Sequence, residues 1–120
     1  MLFSIAGALG RVAIVSKEIL PANTNQALAI ISLKKDIYPE FILSFLKSSN
    51  ILEEVGRLKT GVAQYNLSLE QVSKLKIPIP ALEIQKKMVE ESNEIEKIIN
   101  ANYQLLEVME RKISMVLENI

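Results

Sequence analysis

Cysteine, histidine and tryptophan are absent from this 120-residue chain. Without cysteine there are no disulfides and no thiolate chemistry. Without histidine the chain lacks the commonest transition-metal ligand and the usual proton shuttle near neutral pH. Catalysis would fall to carboxylates, lysines or hydroxyls, and no pair of carboxylates stands in a loop where it would do general acid–base work. An enzyme acting alone is the weakest reading, and no cofactor is expected. Long apolar runs are missing too, since no uncharged stretch approaches the roughly 20 residues of a membrane span. The first ten residues are apolar but have neither a basic leader nor an extended hydrophobic run, so no signal peptide is expected and the location is read as cytoplasmic. There is no internal repeat and no low-complexity tract.

Half of the chain is apolar (49%) and 23% is charged, an ordinary globular composition. The formal net charge is zero, yet it is unevenly spread. Residues 1–80 hold nine Lys/Arg against six Asp/Glu, and residues 81–120 hold five against eight. A local excess of that size is compatible with a polyanion partner without demanding one.

Glycine and proline do not occur after Pro80, and the chain from Leu82 to Ile120 is patterned for one long helix. Ser92, Ile99, Leu106, Ile113 and Ile120 recur seven apart, and Met88, Ile95, Asn102, Met109 and Val116 form a second set offset by three. These are the a and d positions of a coiled coil, with Ile98 and Leu105 widening the seam. Most of the charges fall outside it, so the helix is amphipathic. At about 1.5 Å per residue it would run on the order of 57 Å, about twice the diameter of a domain built from the remaining 80 residues. Most of its seam therefore needs a partner. Asn102 is the polar exception in the seam; it either fixes register or sits wet near the end of the packed zone.

The first 80 residues read as a small mixed domain. Met1–Ile5 and Arg11–Val15 are strand-like and flank Ala6-Gly7-Ala8-Leu9-Gly10, a hairpin signal. The two glycines serve turn geometry, because a phosphate-cradling loop would be followed by a helix and here a strand follows. Gln26–Leu33 is a third apolar run of strand length, preceded by a loop containing Pro21, Asn23 and Asn25. Pro39 opens a helix with Phe41, Ile42, Phe45 and Leu46 on one face, and Asn50–Leu58 continues as a second short helix. Lys59–Leu67 is irregular. Ser68-Leu69-Glu70-Gln71 is a capping box that starts a helix reaching about Lys74. Lys76-Ile77-Pro78-Ile79-Pro80 is extended, since a residue before proline is pushed toward β or polyproline geometry. The fold class is α+β: a small mixed domain over 1–80, followed by one coiled-coil helix over 81–120.

The order of these elements carries a resemblance. Gly7-Ala8-Leu9-Gly10-Arg11-Val12-Ala13, Asn25-Gln26-Ala27, Phe41–Ser48, Gly61–Ser68 and Lys76-Ile77-Pro78-Ile79-Pro80-Ala81-Leu82-Glu83-Ile84-Gln85 together resemble the specificity subunit of type I restriction-modification systems. The last block is the most specific, and Ala81 departs from it where that family often has a further proline. The resemblance implies a target recognition domain that binds one half of a bipartite site in double-stranded DNA, followed by a helical spacer. A complete subunit has two of each, with its spacers paired antiparallel. It further implies docking to a methyltransferase subunit and, through it, to the restriction subunit, with no catalysis in the chain itself. Here one recognition segment and one spacer are visible, and the family's first strands would lie before Met1. A half-subunit, or a truncated or unpaired reading frame, is the expectation, with self-association restoring the missing symmetry as a homodimer through Met88, Ile95, Ile98, Ile99, Asn102, Leu105, Leu106, Met109, Ile113 and Val116.

Sequence readout needs side chains with paired donors and acceptors, presented on a loop that can enter a groove. Gln64, Tyr65 and Asn66, beside Lys59 and Thr60, have that chemistry, and Gly61 lets backbone approach the duplex. By residue type alone the same segment also reads as an ordinary polar loop; the resemblance favours DNA contact for Lys59, Gln64 and Asn66. Arg11 and Lys17 are candidate phosphate contacts, which position a protein without reading sequence, or solvated surface charges. Asn25 and Gln26 fit a loop-holding role better than a base contact. Nothing resembles the partner enzymes' sites: there is no methyl-donor glycine motif, adenine pocket or phosphate loop. The rival to a DNA-specificity module is a structural module that pairs through its helix and binds no DNA.

Overall fold

The computed structural model describes residues 1–58 and 66–120, and it is α+β. Strand β1 (Leu2–Ser4) lies between β2 (Val12–Ala13) and β3 (Leu28–Ile30), both antiparallel to it. Leu2 faces Ala13 and Ile30, while Phe3 faces Val12 and Ala29. Phe3 is wholly buried because its strand is paired on both edges and one face is covered. The strands are shorter than the apolar runs predict, since pairing lasts only where a neighbour continues. After Ala13 the chain turns off into a 3-10 turn at Lys17–Ile19, and two bonds, Ile31 N–H to the Met1 carbonyl (2.9 Å) and the Met1 amino group to the Ile31 carbonyl (3.1 Å), extend β3 past its end.

The helices follow the sequence pattern closely. Helix α1 (Pro39–Leu46) starts with its proline in the first turn and buries Phe41, Ile42 and Leu46; α2 (Ser49–Leu58) buries Ile51 and Val55. Gly10 adopts φ +78° beside α2, where an added Cβ would lie 3.4 Å from Leu52 Cδ2. Helix α3 (Leu69–Ser73) begins with the expected capping box, Ser68 Oγ accepting from the Gln71 amide and Gln71 Oε1 accepting from the Ser68 amide. It ends one residue early, because the Lys74 and Leu75 amides turn to i−3 carbonyls.

Helix α4 (Leu82–Glu118) runs unbroken for 37 residues, roughly 55 Å at 1.5 Å per residue. By internal contacts the chain divides into two units, Met1–Lys86 and Lys87–Ile120. The first turn of α4 thus belongs to the first unit, and Gln85 is what binds it there. Its side chain is completely buried, and all three hydrogen-bonding groups are used. Nε2 donates to the carbonyls of Pro80 (2.8 Å) and Asp36 (3.2 Å), and Oε1 accepts from the Tyr38 amide (2.8 Å). Tyr38 is the residue from which α1 starts, so one amide ties the extended Pro80 segment, the Asp36 turn and the start of α1 together.

In the second unit the apolar seam lies open. Past Ser92 every residue of α4 is exposed, and Ile95, Ile98, Leu106 and Ile113 are 57–62% exposed. The ion pairs Lys87–Glu91 (3.9 Å) and Glu107–Arg111 (4.0 Å) are solvent-exposed i,i+4 contacts that contribute at most a few tenths of a kcal/mol each. No helix of the described residues is long and apolar enough to cross a membrane.

Replacing Gln85 by alanine removes three hydrogen bonds and leaves the Tyr38 amide and two carbonyls without their partner. A loss of about 2–4 kcal/mol is expected, read as a lower urea midpoint, with Gln85→Glu also destabilised because a carboxylate has no N–H for Pro80 and Asp36.

Candidate functional site

The polar groups of the first unit converge where β1 ends. Ser4 organises the hairpin loop there through four bonds. Its amide donates to the Arg11 carbonyl (2.8 Å), and its carbonyl accepts from the Gly10 amide (3.0 Å). Its buried hydroxyl accepts from the Arg11 amide (2.8 Å) and donates to the Ala8 carbonyl. With Gly7 at φ +69° and Gly10 at φ +78°, the loop closes in a conformation that L side chains rarely adopt. The next residue, Ile5, receives two further segments: its amide donates to the Ala27 carbonyl (2.8 Å), and its carbonyl accepts from the Leu67 amide (2.8 Å). The Asn25 side chain braces the first of these by accepting from the Ala27 amide (3.0 Å).

Three of the five sequence blocks singled out above therefore meet at one end of a three-stranded sheet. Arg11, Asn25, Gln26 and Asn66 are exposed around that end, while Ile5 and Leu67 are buried beneath them. An exposed guanidinium and several amides on fixed backbone are a donor and acceptor set suited to phosphates and base edges. Lys17 is elsewhere. It heads the 3-10 turn on the rim of an open, largely apolar groove of about 740 Å³ shared with Met1, Leu2, Ile14 and Ile30, toward the other end of the strands. Backbone bonds thus tie the Arg11 loop and the Asn66–Leu67 segment to the consecutive residues Ser4 and Ile5, while Lys17 lines the groove with Met1, Leu2 and Ile30. Lys59, Thr60, Gly61, Gln64 and Tyr65 lie outside the described residues. On the described flanks, α2 ends at Leu58 and the Leu67 amide is bonded to Ile5.

Ser4 has no role in the sequence reading, and Leu67 and Gln85 enter it only as members of the blocks that carry the resemblance. Ser4 had a signal: a small hydroxyl residue closing an apolar strand just before a two-glycine loop is placed to bond that loop's backbone. Leu67 and Gln85 act over long sequence separations that periodicity does not report. Among the described residues no group of three or more acidic side chains is placed to hold a metal ion.

Residues 1–111 match the family model of the type I restriction modification DNA specificity domain. Neither the curated proteins nor the solved structures yield a match.

Because the Ser4 hydroxyl bonds the loop twice, Ser4→Ala is expected to cost about 1–3 kcal/mol by leaving the Arg11 amide and Ala8 carbonyl without it. Amide hydrogen exchange should quicken at Arg11 while the amides inside α1 stay protected.

Proposed function

The chain belongs to the type I restriction-modification DNA specificity family, and on that premise we propose that it is a non-catalytic specificity subunit, or half-subunit, that reads double-stranded DNA. Residues 1–80 serve as the target recognition segment and residues 81–120 as the spacer helix. The observation that carries this reading is the convergence on the consecutive residues Ser4 and Ile5 of the loop through Arg11, bonded to Ser4, and of the Asn25–Ala27 turn and the segment entering at Asn66 and Leu67, bonded to Ile5. Three loops braced by backbone bonds form the kind of rigid platform from which side chains enter a groove. Arg11 holds phosphate, with Lys17 as a second, separate backbone contact. Lys59, Thr60 and Gly61 approach the backbone of the duplex, and Gln64, Tyr65 and Asn66 face base edges.

A bipartite target needs two recognition segments. The exposed seam of α4 supports self-pairing as the source of the second, through Ile95, Ile99, Leu106 and their neighbours. The same complex docks a methyltransferase subunit, which carries the adenine chemistry. A second reading, a module that pairs but binds no DNA, is favoured by the zero net charge.

Electrophoretic mobility shift at low salt with mixed-sequence duplexes separates the two. The specificity reading expects non-specific binding on the order of 10⁻⁴–10⁻⁶ M. Lys59→Ala should weaken binding to every duplex and lower the salt slope by about 0.9. Gln64→Ala should instead cost about 1–3 kcal/mol on preferred sequences alone. Absence of any shift with the wild-type chain would leave the pairing module as the function.

A further inference from the structure

We propose that Ser4 is the positioning residue for the phosphate contact of Arg11: its hydroxyl holds the Gly10–Arg11 peptide in the orientation from which the guanidinium reaches the duplex backbone. This rests on the phosphate role given to Arg11 above and adds what sets the strength of that contact, a buried side chain that touches no DNA itself.

Arg11 is exposed, and among the described residues no hydrogen bond or ion pair engages its guanidinium. A long, flexible surface cation is usually only solvated, because ordering it on a phosphate costs the freedom of its side chain and of the loop that carries it. In Arg11 the loop is already ordered. Its N–H donates to Ser4 Oγ (2.8 Å) and its carbonyl accepts from the Ser4 amide (2.8 Å), so both peptide planes that flank its Cα are bound to one residue. Ser4 is only 8% exposed and belongs to the central strand, which is paired on both edges. The sheet, rather than the loop, is therefore the anchor.

The hydroxyl and the backbone of Ser4 have separable roles. The bonds from the Ser4 amide to the Arg11 carbonyl and from the Gly10 amide to the Ser4 carbonyl (3.0 Å) close the hairpin whatever side chain stands at position 4. The hydroxyl alone bridges the Arg11 amide and the Ala8 carbonyl. Without it the hairpin stays closed, but these two groups, both on exposed residues, turn to water and the Gly10–Arg11 peptide is released to rotate. Gly10, at φ +78° and with no side chain, is the pivot for that rotation.

Helix α2 restrains the same peptide by contact. A Cβ on Gly10 would lie 3.4 Å from Leu52 Cδ2 and 3.8 Å from Val55 Cγ1, so the chain rests on α2 at the residue before Arg11. A hydrogen bond from Ser4 and packing from α2 thus act on consecutive residues, and the guanidinium starts from a fixed Cα.

Binding of a mixed-sequence duplex to the full chain, followed by fluorescence anisotropy over a range of salt, tests this as a double-mutant cycle. Arg11→Ala is expected to weaken binding on the order of tenfold at low salt and to lower the salt slope by about 0.9, the signature of one lost phosphate contact. Ser4→Ala should reproduce most of both changes although it removes no charge, and the double variant should bind no more weakly than Arg11→Ala. Ser4→Thr, which keeps the hydroxyl, should retain the wild-type slope. A merely structural role would lower the folded fraction and leave the slope alone. Ser4→Ala with the wild-type slope, or a loss that multiplies with that of Arg11→Ala, overturns the positioning role while DNA binding stands. Should Ser4→Ala lose its helical circular dichroism, Gly10→Ala, strained at φ +78° and crowded against Leu52, runs the same cycle with the same expected result. An Arg11→Ala chain that binds like wild type overturns the phosphate contact and the part of Ser4 in it, and a wild-type chain that binds no duplex overturns the DNA reading with both.

Discussion

An apolar stripe about eight turns long is costly to leave open in water, and α4 carries one from Met88 to Val116. Its seam residues stand about half to two-thirds exposed along the whole of the second unit. Each isoleucine or leucine fully removed from water contributes about 1.5–3 kcal/mol, so covering even part of the seam outweighs any surface ion pair on the helix. The i,i+4 pairs Lys87–Glu91 and Glu107–Arg111 help hold the helix itself but leave the stripe as it is. Under the proposed reading, a second copy of the chain covers the stripe and also supplies the second recognition segment of a bipartite target. One surface meets both needs.

The first unit is small, and a few buried polar groups hold it in shape. Ser4 and Gln85 do opposite jobs with the same chemistry. Ser4 spends its hydroxyl within seven residues, closing the hairpin loop that ends in Arg11. Gln85 reaches across nearly fifty residues to the turn before α1 and holds the first turn of α4 against it. In both cases a buried polar side chain is tolerated because each of its groups is satisfied. The result is a fixed sheet end around Ile5, where loops from three separate stretches of sequence present Arg11, Asn25, Gln26 and Asn66.

Much of this was legible beforehand, for physical reasons. Both glycines of the first loop, Pro39 at the start of α1, the Ser68–Gln71 capping box and the heptads of α4 are local signals, and each marks a real feature of the backbone. What the sequence hid is long-range. No pattern indicates that Leu67 bonds Ile5, that Gln85 serves Tyr38, or that Lys17 lines a groove with Met1 and Ile30. The strands were overestimated for a related reason: apolar character extends beyond the pairing that a neighbouring strand supplies.

Sedimentation equilibrium of the full chain, followed from about 100 µM to below 1 µM, tests most directly whether the stripe is covered by a second copy. Two-chain mass at the upper end, falling reversibly toward one-chain mass on dilution, is the expected result. A well-folded, fully helical chain of one-chain mass across the whole range would contradict it.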